Sequence, residues 1–324
     1  MTKSLRLAVL TAAACLLLAA DALPQAPPLG VTQSTANSQQ IALLHWYDAN
    51  LTTSFPVGSV PFDATFDGAN IWVSNGGDGT VTKLRANDGA NLGTFNVGLI
   101  PNGMAFDGAN VWVTNFDSNN VMKLRASDGA NLGTFSVGSG PTAAAFDGAN
   151  IWVSNANGNN VSELRASDGV VLRTVSVGRG PVDIVCSGGS VWVVNRFSNS
   201  VTKIRVSDGK KLGHFTVGSA PLYAVFDGAN IWVSNDSSNN VTKLRASDGT
   251  VLGTFSVGMA PSGLAFDGAN IWVANFNSNS VTKLRASDGT TLGTFPVGTN
   301  PQGVTFDGAN IWVVNNNGSS VSKL

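Results

Sequence analysis

The stretch FDGANIWVSN occupies residues 66–75 and returns letter for letter at 146–155 and 226–235. Close variants stand at four other places, and lining the chain up on tryptophan gives one period. Trp72, Trp112, Trp152, Trp192, Trp232, Trp272 and Trp312 are each 40 residues apart, and Pro61, Pro101, Pro141, Pro181, Pro221, Pro261 and Pro301 keep the same step. A fixed period of this length means a solenoid, a propeller or another array of repeats. The letters within one period choose between them. NIWV is β-branched and aromatic, VTKL and LGTFSVG alternate, and FDGAN and RASDG carry turn chemistry. No helical period is present, which excludes helical and leucine-rich repeats. The reading is an all-β, seven-bladed β-propeller with four antiparallel strands, A to D, in each 40-residue blade. Within IWV the strict in/out alternation is lost, because a middle strand packs on neighbouring blades through both faces. Each Trp is expected between two blades.

The ends say how the ring closes. The last repeat stops at Leu324 after strands A, B and C, while Phe55, Val57 and Gly58 stand 40 before Phe95, Val97 and Gly98. An N-terminal strand therefore supplies the missing D strand and removes an open edge. Ile41 and Leu44 also fall in register with Val81 and Leu84, so 41–47 and 321–324 compete for the third strand of the last blade.

The first 22 residues are a different text. Lys3 and Arg6 precede the apolar run LAVLTAAACLLLAA, and Ala20 and Ala22 offer small residues for cleavage, the layout of a signal peptide. The chain divides into a signal peptide at 1–22, a Pro- and Gln-rich flexible leader at 23–40 and the propeller at 41–324. The mature protein is expected to be exported (periplasmic, cell-surface or secreted), monomeric and without a transmembrane segment. Cys15 leaves with the signal, so Cys186 stands alone and no intrachain disulfide forms. It occupies the place held by Phe in the other repeats and reads as a small core residue.

Net charge is −1 and charged residues are only 12% of the chain, so no global field would attract nucleic acid. The Lys-x-Arg pairs Lys83/Arg85, Lys123/Arg125, Lys203/Arg205, Lys243/Arg245 and Lys283/Arg285 read as a solvated outer rim. Asp88, Asp128, Asp208, Asp248 and Asp288 would neutralise them. The Asp and Asn of FDGAN and RASDG read as turn formers, since the spacing of a calcium loop is absent.

IWVSN (71–75), SNNVTKL (238–244) and GTFSVGSGP (133–141) together resemble the YVTN-type β-propeller repeat. There an aromatic–Val–Thr/Ser–Asn core is followed by VSVID-like and VG-x-x-P segments. The resemblance covers roughly 45–324 and implies an exported, YncE-like seven-bladed propeller. A looser resemblance, to streptogramin lyases and gluconolactonase-like propellers with a DG-x-x-W-F-T-E-like strand, implies metal-dependent chemistry. The Glu of that strand is Asn in every repeat here (Asn75, Asn115, Asn155, Asn195, Asn235, Asn275, Asn315). The single Glu of the chain is Glu163, on a C strand, and the histidines are His45 and His214.

The A–B and C–D turns are nearly identical among repeats, whereas the D–A connections and B–C loops differ. In a propeller the latter two share one face. Candidate ligand-binding residues at the channel mouth are therefore Phe62, Asp63, Asn102, Thr142, Asp183, Tyr223, Ser262 and Gln302, surrounded by Phe116, Asp117, Arg196, Phe197, Asp236 and Phe276. Aromatics interleaved with amides and few charges suit a protein, peptide or glycan. The leading reading is a non-enzymatic binding or scaffold protein with no cofactor and no catalytic residue. The alternative is a metal-dependent lyase or lactonase holding a divalent ion between Asp63 and Asp183.

Overall fold

In the computed structural model, which describes residues 53–324, seven four-stranded antiparallel sheets follow one another along the chain. Blade 1 is made of strands Pro61–Phe66, Asn70–Asn75, Thr80–Arg85 and Asn91–Asn96, and the next five blades repeat this order. The all-β, seven-bladed propeller read from the sequence is the observed fold. The segments 1–22, 23–40 and 41–52, with His45, lie outside the described residues. Among those described, no helix is long and apolar enough to cross a membrane.

Blade 7 joins the two ends of the chain. Its strands are Pro301–Phe306, Ile311–Asn315 and Ser320–Lys323, and its outer strand is Ser54–Pro56. Phe55 stands opposite Val321 in that pairing. The third strand of blade 7 is thus built from the C-terminal residues; 41–47 lies outside the described region.

Each seam between blades repeats one arrangement. Trp72, fully buried, packs with Val111 and Val113 of blade 2, and the Trp of every other blade is likewise buried against the blade that follows. The turn before it is more than a turn. Asp67 Oδ1 accepts hydrogen bonds from Ala69 N at 2.9 Å and Asn70 N at 2.7 Å, while Oδ2 accepts one from Trp72 Nε1 at 2.7 Å. One carboxylate therefore shapes the hairpin and satisfies the indole N–H, which burial would otherwise leave costly.

The expectation of a solvated rim holds for arginine and fails for lysine. Arg85 and Asp88 pair at 2.9 Å with both side chains about half exposed, and the other Arg–Asp pairs repeat this geometry. Lys83, Lys123, Lys203 and Lys243 are instead buried, and Lys283 is half-buried. Lys83 Nζ sits 5.0 Å above the Trp72 ring and donates to Ala126 O, in the next blade, at 2.6 Å. Lys123, Lys203, Lys243, Lys283 and Lys323 lie over their own Trp in the same way. A long apolar stem and a cationic head let lysine serve as an inter-blade clamp through cation–π attraction and carbonyl capture. In blade 3 Glu163 takes this position and is held by Arg173 Nε at 2.6 Å.

Cys186 is half-buried within the blade 3–blade 4 seam, and burial pushes its thiol up to about 12. An unreactive, space-filling thiol agrees with the core role read from its repeat position. His214 lies on the outer strand Lys211–Thr216, with Nδ1 3.3 Å from Thr202 Oγ1.

Candidate functional site

The Asn that closes each IWVSN segment is fully buried, and its place explains its recurrence. Asn75 Oδ1 accepts Gly58 N at 3.1 Å, and Nδ2 donates to Thr82 Oγ1 at 2.9 Å. It clips the preceding D–A connection and its own C strand onto strand B, and so fixes the two loop sets of one face relative to each other. Where a lyase-like strand would present Glu, this chain has a structural amide.

The B–C loops end on a residue in the left-handed region: Asn119, Asn159, Asn199, Asn239 and Asn279 have φ of 50–53°. Asn tolerates this region better than other chiral residues do. The residue before each repeat Pro is held there too. Gly140 and Gly180 adopt it without a Cβ, but in blades 1 and 2 the position is filled by Val60, at φ 49°, and Ile100, at φ 51°. Two β-branched residues in this region mark backbone held by its surroundings. Val60 O accepts Gly76 N at 3.0 Å, and Ile100 O accepts Phe116 N at 3.0 Å.

These loops frame a depression of about 540 Å³ over the channel. Phe62, Asn102, Thr142, Tyr223, Ser262 and Gln302 line it, as do Phe116, Arg196, Phe197, Phe276 and Asp236. Asp63, Asp183 and Asp117 do not belong to its lining. Five residues missing from the expected set do belong: Val182, Leu222, Ala156, Asn157 and Asn316. Their signal was positional, because Val182 and Leu222 align with Phe62, and Ala156 and Asn316 align with Phe116.

The aromatics stand on distinct supports. Phe197 is the most open, with 69% of its surface exposed, and packs beside Gly180. Phe116 lies beside Gly140 and Phe62 beside Gly76, so a Cβ on either glycine would collide with or crowd the ring. Arg196 and Asp236, from neighbouring blades, approach to 3.6 Å across the rim. Two hydroxyls of the predicted set are spent on the scaffold. Thr142 Oγ1 donates to Pro181 O at 3.1 Å, and Ser262 Oγ donates to Pro301 O at 3.0 Å, each on the next inner strand.

Asp63 and Asp183 do similar work below the mouth. Asp63 Oδ2 accepts Met104 N at 3.1 Å, and Asp183 Oδ2 accepts Ala224 N at 2.7 Å, so each carboxyl ties its inner strand to the next blade. Burial raises Asp63 to about 6 and Asp183 to about 7, with the Asp63 charge adding to the second shift. Burial, reinforced by both carboxylates, pushes the Tyr223 phenol upward as well, so it stays neutral. The small residues at the equivalent places follow from crowding: a Cβ on Gly103 would lie 2.6 Å from Thr142 O, and one on Gly263 2.2 Å from Gln302 O. Among the described residues, no three His, Cys, Asp or Glu side chains come together as a metal-binding group.

No protein-family model matches the chain, and no curated protein matches it in sequence. Solved structures do match in shape. Hydrazine synthase of Kuenenia stuttgartiensis superposes with a TM-score of 0.73 at 19% identity, over 91% of this chain and 99% of that one. A streptogramin B lyase structure superposes with a TM-score of 0.71 at 19% identity, over 83% of this chain and 95% of that one. At such identity the likeness concerns the fold alone, a propeller shared by proteins of different activity.

Proposed function

We propose that this protein is an exported, YncE-like propeller of the YVTN-repeat type that binds a glycan or peptide at the mouth described above, and that it is not an enzyme. One observation carries the reading. Seven near-identical repeats diverge into Phe62, Phe116, Phe197 and Phe276, with amides from Asn102, Asn157 and Gln302, around one depression, while the turns of the opposite face stay nearly the same in every blade but the fourth. Rigid aromatic faces supply contact area at low entropic cost, and amides fix orientation. The enzymatic alternative rests on Asp63 and Asp183. Each gives an oxygen to the neighbouring blade, and neither lines the mouth. The streptogramin B lyase shares the fold, and fold alone does not carry chemistry.

The test is retention of the mature protein on panels of immobilised oligosaccharides and peptides, beside a Phe116→Ala/Phe197→Ala/Phe276→Ala variant. Binding to one class, lost in the variant at unchanged melting temperature, is the expected result. Equal binding by the variant, or no binding to any class, would remove the reading.

A further inference from the structure

The turn between strands A and B is Asp-Gly-Ala-Asn in six blades and Ser187-Gly188-Gly189-Ser190 in blade 4. The other six carboxylates each accept a hydrogen bond from or stand beside a Trp indole, and in five of those blades, all but blade 3 with its Glu163, a lysine lies over the same ring; in blade 6 Asp267 Oδ2 lies 3.9 Å from Lys283 Nζ. Blade 4 keeps the indole and the lysine but has no carboxylate. Ser187 Oγ accepts Trp192 Nε1 at 2.9 Å and so replaces the lost acceptor, though not the lost charge. Lys203 stays in place, 9% exposed, 5.2 Å above the Trp192 ring, donating to Ala246 O at 2.8 Å and Ser247 O at 2.9 Å.

Carbonyls and a ring face solvate an ammonium but leave its charge in place. The acidic side chain whose charge acts on Lys203 is Asp248, already bound to Arg245 at 3.0 Å and half exposed. Exchanging Asp and Asn for two serines also opens space. A depression of about 690 Å³ lies at the blade 4–blade 5 seam, lined by Ser187, Gly188, Ser190, Lys203, Asn230 and Arg245. It sits on the face of the A–B and C–D turns, opposite the mouth. A buried lysine and two hydroxyls converge there, with the Gly188–Gly189 turn at positive φ of 49° and 80° beside them and Arg245, paired with Asp248, at the edge. That is the donor set of an anion site.

We propose that this depression binds a small oxyanion, a carboxylate or phosphate group, seated on Lys203, Ser187 and Ser190 where the other blades have their own aspartate. The size of the depression admits an oxyanion carried on a larger molecule as well as a free ion. Burial lowers the Lys203 pKa, the direction expected for a cation short of a counter-charge. The proposal is independent of what binds at the mouth.

The repeat itself supplies the control. Ser187→Asp restores the turn that six blades already fold around and places a tethered carboxylate beside Lys203. Melting temperature is followed with phosphate, with acetate and with chloride at matched ionic strength. Phosphate or acetate should raise wild-type Tm by about 2–4 °C more than chloride. Ser187→Asp should melt higher than wild type in chloride and gain nothing further from either oxyanion. Calorimetric titration with the better of the two ions should show binding to wild type and none to Lys203→Gln. Which ion gives the larger shift identifies a planar or a tetrahedral head group. The proposal is overturned if both oxyanions act no differently from chloride, or if Ser187→Asp or Lys203→Gln responds as wild type does.

Discussion

Phe55, at the start of the described chain, packs against Trp312 near its end, with ring centroids 5.4 Å apart at 35°. Trp112 and Phe135 within blade 2 stand at 5.5 Å and 33°. The seam that joins the two ends is therefore built to the same pattern as one inside a continuous blade. Lys323 completes it, 5.1 Å over Trp312 and 2.8 Å from Ala86 O of blade 1. Phe55→Ala removes a buried ring from this seam and should destabilise the protein by about 3–5 kcal/mol. Deleting 53–58 removes the strand itself and should abolish cooperative urea unfolding. Wild-type unfolding curves in both variants would contradict closure by this strand.

Val60 and Ile100 sit with positive φ at positions that Gly140 and Gly180 fill elsewhere. The two residues are 40% and 36% exposed, so truncating them leaves no sealed cavity. Val60→Gly and Ile100→Gly should each raise stability by about 1 kcal/mol, read from denaturant midpoints. A loss of stability would mean that the side chains hold the loops more than the backbone strains them.

The carboxyls of the inner strands and of the A–B turns give the stability curve two slopes. Asp63 and Asp183 titrate at about 6 and about 7 in the folded chain, against 3.8 as the ordinary value. The folded state holds these protons more tightly, so their contribution is full below about pH 4 and lost as pH rises through 6 and 7. Asp107, Asp227, Asp267 and Asp307 behave in the opposite sense. Burial works to raise them, but hydrogen bonds from the Trp indole and the turn amides outweigh it and hold them low. Their contribution is present above about pH 4 and lost as pH falls through their folded values. Asp63→Asn/Asp183→Asn should leave the acid limb unchanged and gain about 1–3 kcal/mol at pH 8. An unchanged slope between pH 4 and 8 would contradict the burial argument.

The lysine clamps make a further expectation. Lys243 Nζ lies 4.9 Å over Trp232 and donates to Ala286 O at 2.7 Å in the next blade. Lys243→Ala should cost about 1–3 kcal/mol, whereas Arg245→Ala, which breaks only the exposed pair with Asp248, should cost under about 1 kcal/mol. Equal costs would return the lysine to the solvated rim.

The sequence made the architecture legible because one period of 40 carries every seam, and a buried Trp cannot be moved without moving its neighbours. It concealed what side chains do across seams. Asp67 reads as a turn former, and its bond to Trp72 depends on how the hairpin folds back over the indole. Lys83 reads as exposed because it pairs with Arg85 in a Lys-x-Arg motif with Asp88 close behind; only the adjoining blade supplies the carbonyl that captures it. At the mouth, alternation fails for a specific reason. Each inner strand slips register just after its Pro: between Pro61 and Ala64 in blade 1, and between Pro181 and Asp183 in blade 4. A slip at that point changes which of two consecutive residues faces the opening. Val182 lines the mouth and Asp183 does not, although sequence favours the acidic residue.

The most direct measurement for a ligand-binding mouth is backbone amide hydrogen exchange on the protein, with and without the glycan or peptide it retains. Protection should appear in the B–C loops around Phe116, Phe197 and Phe276 and in the D–A connections before Pro61, Pro101 and Pro301. The A–B and C–D turns should exchange as before. Protection confined to those turns, or no change at the mouth while ligand is bound, would contradict the account.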